Sequence, residues 1–132
     1  MRIALVLTVA LALTAPASAA TSGVFFRTPS GNIYCAYFGS VRCDIRSGLV
    51  PKPPRPPGCD FDWGQTYQLG RTGTARVGCV SDSVFSPTAR VLRYGTRLSR
   101  GGITCVSRAS GLRCTNAGRR GFFLSRAHSF RF

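Results

Sequence analysis

Residues Gly31–Cys43 read GNIYCAYFGSVRC, and residues Gly101–Cys114 read GGITCVSRASGLRC. Each copy runs glycine, spacer, isoleucine, spacer, cysteine, then a short turn, an apolar residue, arginine and cysteine. This is the pattern of a β-hairpin with a cysteine on each arm. In the first copy, setting Cys35 opposite Cys43 also sets Tyr37 opposite Val41. Phe38, Gly39 and Ser40 remain as a three-residue loop in which Gly39 accepts positive φ without a Cβ clash. In the second copy, Cys105 opposite Cys114 leaves a two-residue loop at Ala109 and Ser110, followed by Gly111, which can absorb a bulge. Cysteines directly opposite on one face of an antiparallel pair are close enough to bridge. The predicted linkages are therefore Cys35–Cys43 and Cys105–Cys114, with Cys59–Cys79 as the remaining pair among 15 possible arrangements. The repeat fits an internal duplication or the convergence of two crosslinked hairpins equally well.

The chain before these hairpins has a different character. Met1-Arg2, the apolar run Ile3–Leu13 and the small-residue motif Ala17-Ser18-Ala19 read as a signal peptide over residues 1–20. The apolar run is too short to span a bilayer, which takes about 20 residues. Cleavage is expected near Ala19 or Ala20, releasing a single secreted domain over residues 21–132. Six cysteines in such a chain read as a disulfide framework. None of the gaps between successive cysteines has the two-to-four-residue spacing of zinc ligands, and there is one histidine, so no metal site and no cofactor is expected. In the loop-entropy model, each of the three bridges stabilises by roughly 2.5 to 3.5 kcal/mol. That is substantial beside the stability of a typical domain.

Charge is the unusual feature of the composition. The chain has 18 Lys and Arg against 4 acidic residues, a net charge of +14. Without Arg2 this is 17 against four aspartates, or +13, with Lys52 the lone lysine and no glutamate. Such a balance attracts polyanions: envelope polymers, phospholipid head groups, nucleic acid or an acidic protein. It is equally the product of a compositional preference for arginine, with the side chains solvated on strands. Arg97, Arg119, Arg120 and Arg126 are the candidate anion-binding residues.

Along the chain, Val24–Thr28 reads as a strand turning at Pro29-Ser30-Gly31 into the first hairpin. Gly48–Gly58, GLVPKPPRPPG, is a polyproline crossing over the surface. Thr66–Leu69 and Thr74–Val80 alternate as strands around a glycine turn, and Ser81-Asp82-Ser83 is a loop. Ala89–Tyr94 and Thr96–Leu98 lead into the second hairpin. Asn116–Gly121 is a turn with Arg119-Arg120 at its tip, and Phe122–Leu124 and His128–Phe132 finish as strands. Helical periodicity is absent outside the signal segment. The expected fold is all-β: a small single-domain sandwich or partly open barrel of short antiparallel strands with disulfide-tied hairpins.

No catalytic constellation emerges. Asp60 and Asp62 lie two apart in CDFDWG and would share a face if extended, giving a carboxylate pair or a calcium contact. The competing assignment makes them turn aspartates beside arginines, with Phe61 and Trp63 packed inward. Ser125 and His128 are three apart and on a strand would point to opposite faces. All cysteines are consumed by bridges and no GxSxG elbow occurs, so a non-enzymatic protein is expected. Phe25-Phe26-Arg27, Tyr34-Tyr37-Arg42 and Arg93-Tyr94 interleave aromatics with arginines, as base- or sugar-stacking surfaces do. Strand alternation with aromatics inward is the expected arrangement.

Phe26-Arg27-Thr28-Pro29-Ser30-Gly31-Asn32-Ile33-Tyr34-Cys35, Val41-Arg42-Cys43-Asp44, Cys79 with Asp82, Val91–Gly95 and Gly121-Phe122-Phe123-Leu124-Ser125-Arg126 together resemble a family of small exported actinobacterial disulfide-bonded domains of unknown function. The resemblance spans nearly the whole mature chain and includes the spacing of all six cysteines. It implies one secreted, disulfide-bonded domain and carries over no catalytic residues. Gly118-Arg119-Arg120-Gly121 is more basic than that pattern. The functional expectation is a secreted binding module that associates with anionic envelope polymer or lipid head groups through arginines. The alternative is a protein-binding inhibitor of an exported partner, using rigid hairpin tips such as Phe38–Ser40. Nucleic acid is not an expected partner, and hydrolysis at Asp60 and Asp62 is the remaining reading.

Overall fold

Both hairpins form in the expected register. A computed structural model describes residues 9–17 and 23–132 of the chain. The proposed cleavage site at Ala19 and Ala20, and most of the leader, lie outside the described residues. Residues 9–17 carry no regular element and are exposed. In the first hairpin β2 (Ile33–Tyr37) pairs with β3 (Val41–Ile45), Cys35 facing Cys43 and Tyr37 facing Val41. Gly39 takes φ 80° at its tip, where a side chain would be strained. In the second, β8 (Ile103–Arg108) pairs with β9 (Gly111–Thr115), Cys105 facing Cys114 and Arg108 facing Gly111. All three predicted bridges are made: Cys35–Cys43, Cys59–Cys79 and Cys105–Cys114.

Each hairpin seeds one sheet. The other strands are β1 (Val24–Arg27), β4 (Thr66–Leu69), β5 (Arg76–Val77), β6 (Arg90–Val91), β7 (Arg97–Arg100), β10 (Gly121–Leu124) and β11 (Ser129–Arg131). The first sheet runs β5-β4-β3-β2-β1-β6 and the second β11-β10-β9-β8-β7. The sheets pack face to face as a sandwich rather than closing into a barrel. Strand alternation puts Phe26, Cys35, Cys43 and Tyr67 on the inner face of the first sheet. Leu98, Cys105, Cys114 and Phe122 occupy the corresponding row of the second. These residues join one buried cluster, and the Tyr67 and Phe122 rings meet across it at 5.4 Å. Two of the disulfides thus lie inside the core and act as apolar filling as well as crosslinks.

Several expected elements differ. The pairs are antiparallel except β1–β6, which is parallel. The segment before β6 explains this. Asp44, buried on the outer side of β3, accepts the Val84 backbone N–H at 3.0 Å and the Thr66 hydroxyl at 2.8 Å. Residues 82–85 are thereby drawn across the outer face of the first sheet, and the chain reaches β1 running in its own direction. Arg42 ties the same crossing, bonding both Asp44 carboxylate oxygens and the Asp82 carboxylate, the last at 2.7 Å. Thr74–Val80 contributes only Arg76–Val77 as a strand, with an isolated bridge between Val80 and Asp62. Ala89–Tyr94 contracts to Arg90–Val91 because Tyr94 turns toward β7.

Candidate anion-binding face

The outward residues of the second sheet line up in transverse rows. Arg97 faces Val106, Val106 faces Arg113, Arg113 faces Phe123 and Phe123 faces Phe130. One row therefore crosses all five strands, arginine-bearing at β7 and β9 and aromatic at β10 and β11. A neighbouring row ends on Phe132, which exchanges backbone hydrogen bonds with Gly121 at 3.0 Å. His128, two residues before Phe130, completes the aromatic side.

The rings form one cluster. Phe123 lies 5.2 Å from Phe130 and 5.3 Å from His128, with planes within 24° and 28° of parallel. His128 and Phe130 are nearly coplanar in orientation, 5.8 Å apart at 5°. Two glycines make room: a Cβ at Gly111 would lie 2.5 Å from Phe123 Cζ, and one at Gly121 2.9 Å from Phe132 Cζ. The Arg113 guanidinium sits 4.1 Å above the Phe132 ring, a cation–π contact that fixes the arginine upright on the sheet. Phe130 remains 40% exposed, so the cluster presents ring surface to solvent.

A concavity flanks each end of this cluster. One, of about 290 Å³, lies among the connections at one end of the sandwich and includes Ser30, Asn32, Tyr94, Arg108, Arg126 and His128 in its lining. The other, of about 670 Å³, separates the proline crossing from β11 and includes Lys52, Tyr67, Arg120, Phe130, Arg131 and Phe132. Neither is lined by an acidic side chain. Burial holds the Tyr67 phenol above its ordinary value of 10.0, against the opposing pull of Arg131.

Of the four arginines expected to bind anions, Arg97 stands on the aromatic-bearing face and Arg120 lines the larger concavity. Arg126 lines the smaller one, at the opposite end of β10 from Arg119 and Arg120. Arg97 belongs to β7, three strands from β10, or about 14 Å at the usual strand spacing. The four form a distributed surface rather than one cluster. Arg108, Arg113 and Arg131 join it without having been singled out. The ring cluster joins it too. Of the aromatics expected to face inward, Phe26 is buried, whereas Phe25 on the first sheet and Tyr94 are 38% and 46% exposed. One sequence signal bears on this directly. All four aspartates precede residue 83, and the 50 residues that follow contain ten arginines and no acidic side chain.

The aspartates collect elsewhere. Asp44, Asp62 and Asp82 line a third concavity of about 350 Å³ on the first-sheet side, while Asp60 is not among its lining residues. This concavity thus brings Asp62 together with Asp44 and Asp82 rather than with Asp60. Asp60 and Asp62 do not sit against arginines as turn aspartates would: Arg55 donates instead to the backbone carbonyls of Cys59 and Phe61. Phe61 is 57% exposed rather than packed inward, and Trp63 is half-buried with Nε1 donating to Pro53 O at 3.0 Å. Among the described residues no group of three or more His, Cys, Asp or Glu side chains could hold a metal ion. Ser125 and His128 lie in the β10–β11 turn rather than on a strand. The Ser125 hydroxyl donates to His128 O at 2.8 Å and accepts the His128 backbone N–H at 3.1 Å, a turn closure that leaves the imidazole to the ring cluster.

Fold and site together define a disulfide-crosslinked, two-sheet β domain with a basic aromatic face. Residues 5–132 match the family of unknown function DUF6636, and the chain belongs to that family. No curated protein and no solved structure matches it. Among the described residues no helix is long and apolar enough to cross a membrane.

Proposed function

We propose that this protein is an exported, non-enzymatic binding module that holds an anionic glycan of the cell envelope on the outer face of its second sheet. The carrying observation is the row Arg97–Val106–Arg113–Phe123–Phe130, with charge and ring surface side by side and no acidic side chain nearby. Arginines supply long-range attraction and hydrogen bonds to phosphate or carboxylate. Ring faces supply the apolar contact that a sugar offers and a bare phosphate does not. A glycan fits better than a lipid surface because the phenylalanines pack on one another instead of projecting as separate anchors. Three disulfides and the leader-like residues 1–20 support export.

Retention on immobilised polygalacturonate, eluted in salt steps, tests this reading beside neutral dextran, inorganic polyphosphate and vesicles of anionic lipid. With three or four contacts, affinity for polygalacturonate should fall on the order of 50-fold between 50 and 200 mM salt. Phe130→Ala should weaken the glycan and leave polyphosphate unchanged. Polyphosphate or vesicles held as tightly as the glycan, with Phe130→Ala silent, would overturn it.

A second reading rests on Phe38, which is 56% exposed at the first hairpin tip and meets Phe25 edge-on at 5.5 Å. An inhibitor of an exported protein would use this disulfide-tied tip. It would form a stoichiometric complex that survives high salt.

A further inference from the structure

The larger concavity is an open groove with two facing walls. One wall is the proline crossing, pinned from two directions: Trp63 Nε1 donates to Pro53 O, and the Ser129 backbone N–H donates to Val50 O at 2.7 Å. Prolines offer no N–H, so Pro51, Pro53 and Pro54 present only carbonyls and ring surface to the lining. The opposite wall is β11 with Phe130 and Phe132. Arg131 alternates to the inner side of the second sheet, because it falls in the row of Cys114 and Phe122. At this open edge its Nη1 donates to Ala75 O at 3.2 Å, which spans the gap to the β4–β5 side. Lys52 and Arg120 supply two further cations. Arg120 is held by Asn116: the carboxamide oxygen accepts the Gly118 and Arg120 N–H groups at 3.0 and 3.1 Å, and Nδ2 donates to Gly70 O and Gly73 O at 3.1 and 2.9 Å.

The volume, about 670 Å³, lies within the usual range for small-ligand sites. Hydrogen bonds hold the proline crossing, the Arg120 backbone and Arg131 in place, which lowers the ordering cost of binding. Three cations among rings, without an acidic side chain, select an anion that carries its own ring. We infer that this groove seats a single sugar residue bearing a carboxylate or phosphate, at the end or on a branch of the glycan assigned above to the sheet face. The inference rests on that reading for its biological setting, and on the groove alone for its chemistry. Lys52, Arg120 and Arg131 contact the anion, and Phe130 and Phe132 pack on the sugar ring.

Glucuronate and glucose 6-phosphate are the probes, titrated separately into the full protein while the NMR signals of Tyr67, Phe130 and Phe132 are followed. Glucose and inorganic phosphate serve as controls. At least one anionic sugar should saturate with shifts confined to the groove, and both controls should bind about tenfold more weakly or worse. Lys52→Ala and Arg120→Gln should each weaken that sugar about tenfold with the melting temperature unchanged. Saturation by glucuronate alone assigns a carboxylate, and by glucose 6-phosphate alone a phosphate. Inorganic phosphate binding as tightly as glucose 6-phosphate would overturn the proposal, as would an unmoved groove in a protein that still retains polygalacturonate. Saturation by a monosaccharide without polygalacturonate retention would support the groove and remove the reading of the open face.

Discussion

The Asn116 carboxamide oxygen accepts the Arg120 backbone N–H at 3.1 Å, so one buried side chain sets the conformation of the Arg119-Arg120 turn. Its Nδ2 holds two carbonyls of the β4–β5 turn. Asn116→Ala leaves those groups without their partner and should cost about 2–3 kcal/mol in denaturant unfolding. Asn116→Asp separates the two roles, since it keeps the acceptor for Gly118 and Arg120 and loses both donors to Gly70 and Gly73. The aspartate variant should retain the turn's NMR pattern while the β4–β5 turn loosens.

Arg119 occupies φ 60°, a region that costs a residue with a Cβ about 1 kcal/mol or more. Arg119→Gly should therefore raise stability by about 0.5–1 kcal/mol after allowing for glycine's freer unfolded chain. Retention on polygalacturonate should weaken in the same variant. Opposite signs in the two assays would mark the arginine as kept for its charge; a variant less stable than the parent would refute the strain argument.

The three bridges differ in access to reductant. Both cysteines of each hairpin bridge are buried, whereas Cys79 is exposed beside a buried Cys59. Under limiting dithiothreitol Cys59–Cys79 should open first, read by alkylation and peptide mass spectrometry. The double variant Cys105→Ala/Cys114→Ala removes core filling as well as a crosslink and should cost about 3–5 kcal/mol.

Asp82 is fully exposed, yet its hydrogen bond and proximity to Arg42 hold its carboxyl below the ordinary value of 3.8. Burial alone would lower the Arg42 guanidinium, but hydrogen bonds to Asp44 and Asp82 and the charge of both carboxylates outweigh it and hold it above its ordinary value. Because the folded Asp82 pKa is depressed, the clamp on residues 82–85 is fully present above the unfolded value. It is lost as pH falls below 3.8 and through the folded pKa. NMR titration should show the Asp82 carboxyl protonating below the ordinary carboxylate range, with the Arg42 guanidinium signals shifting over the same interval. In Arg42→Gln the Asp82 titration should move up to the ordinary range.

How much of this was legible in the sequence follows from range of interaction. The hairpins and their cysteine register are local, set by alternation and loop length within about a dozen residues. The third bridge followed by elimination. The parallel β6 was not legible, because it depends on Asp44 reaching Val84 across 40 positions. The ring cluster was missed for a related reason. Period-two alternation puts Phe130 and Phe132 on one face, but joining Phe123 to them takes the β10–β11 register, and which face is inward depends on Phe122 and Leu124 filling the core. Of the candidate anion-binding residues, the sequence singles out Arg97, Arg119, Arg120 and Arg126. It could not join Arg97 to Arg113, which takes the row order across β7 to β9, or bring Arg131 beside Arg120, which takes the folding of β11 against the proline crossing.

The confinement of every aspartate to the chain before residue 83 gives the folded molecule a polarity as well as a net charge. The carboxylates gather beside the first sheet, whereas the second sheet and its connections carry only arginines. The protein is thus an electric dipole along the sandwich normal. Near an anionic layer it experiences a torque that turns the second sheet inward before any contact forms. The Phe38 hairpin belongs to the opposite sheet, so the same rotation leaves that tip facing away, free to meet a second partner while the arginine face is occupied.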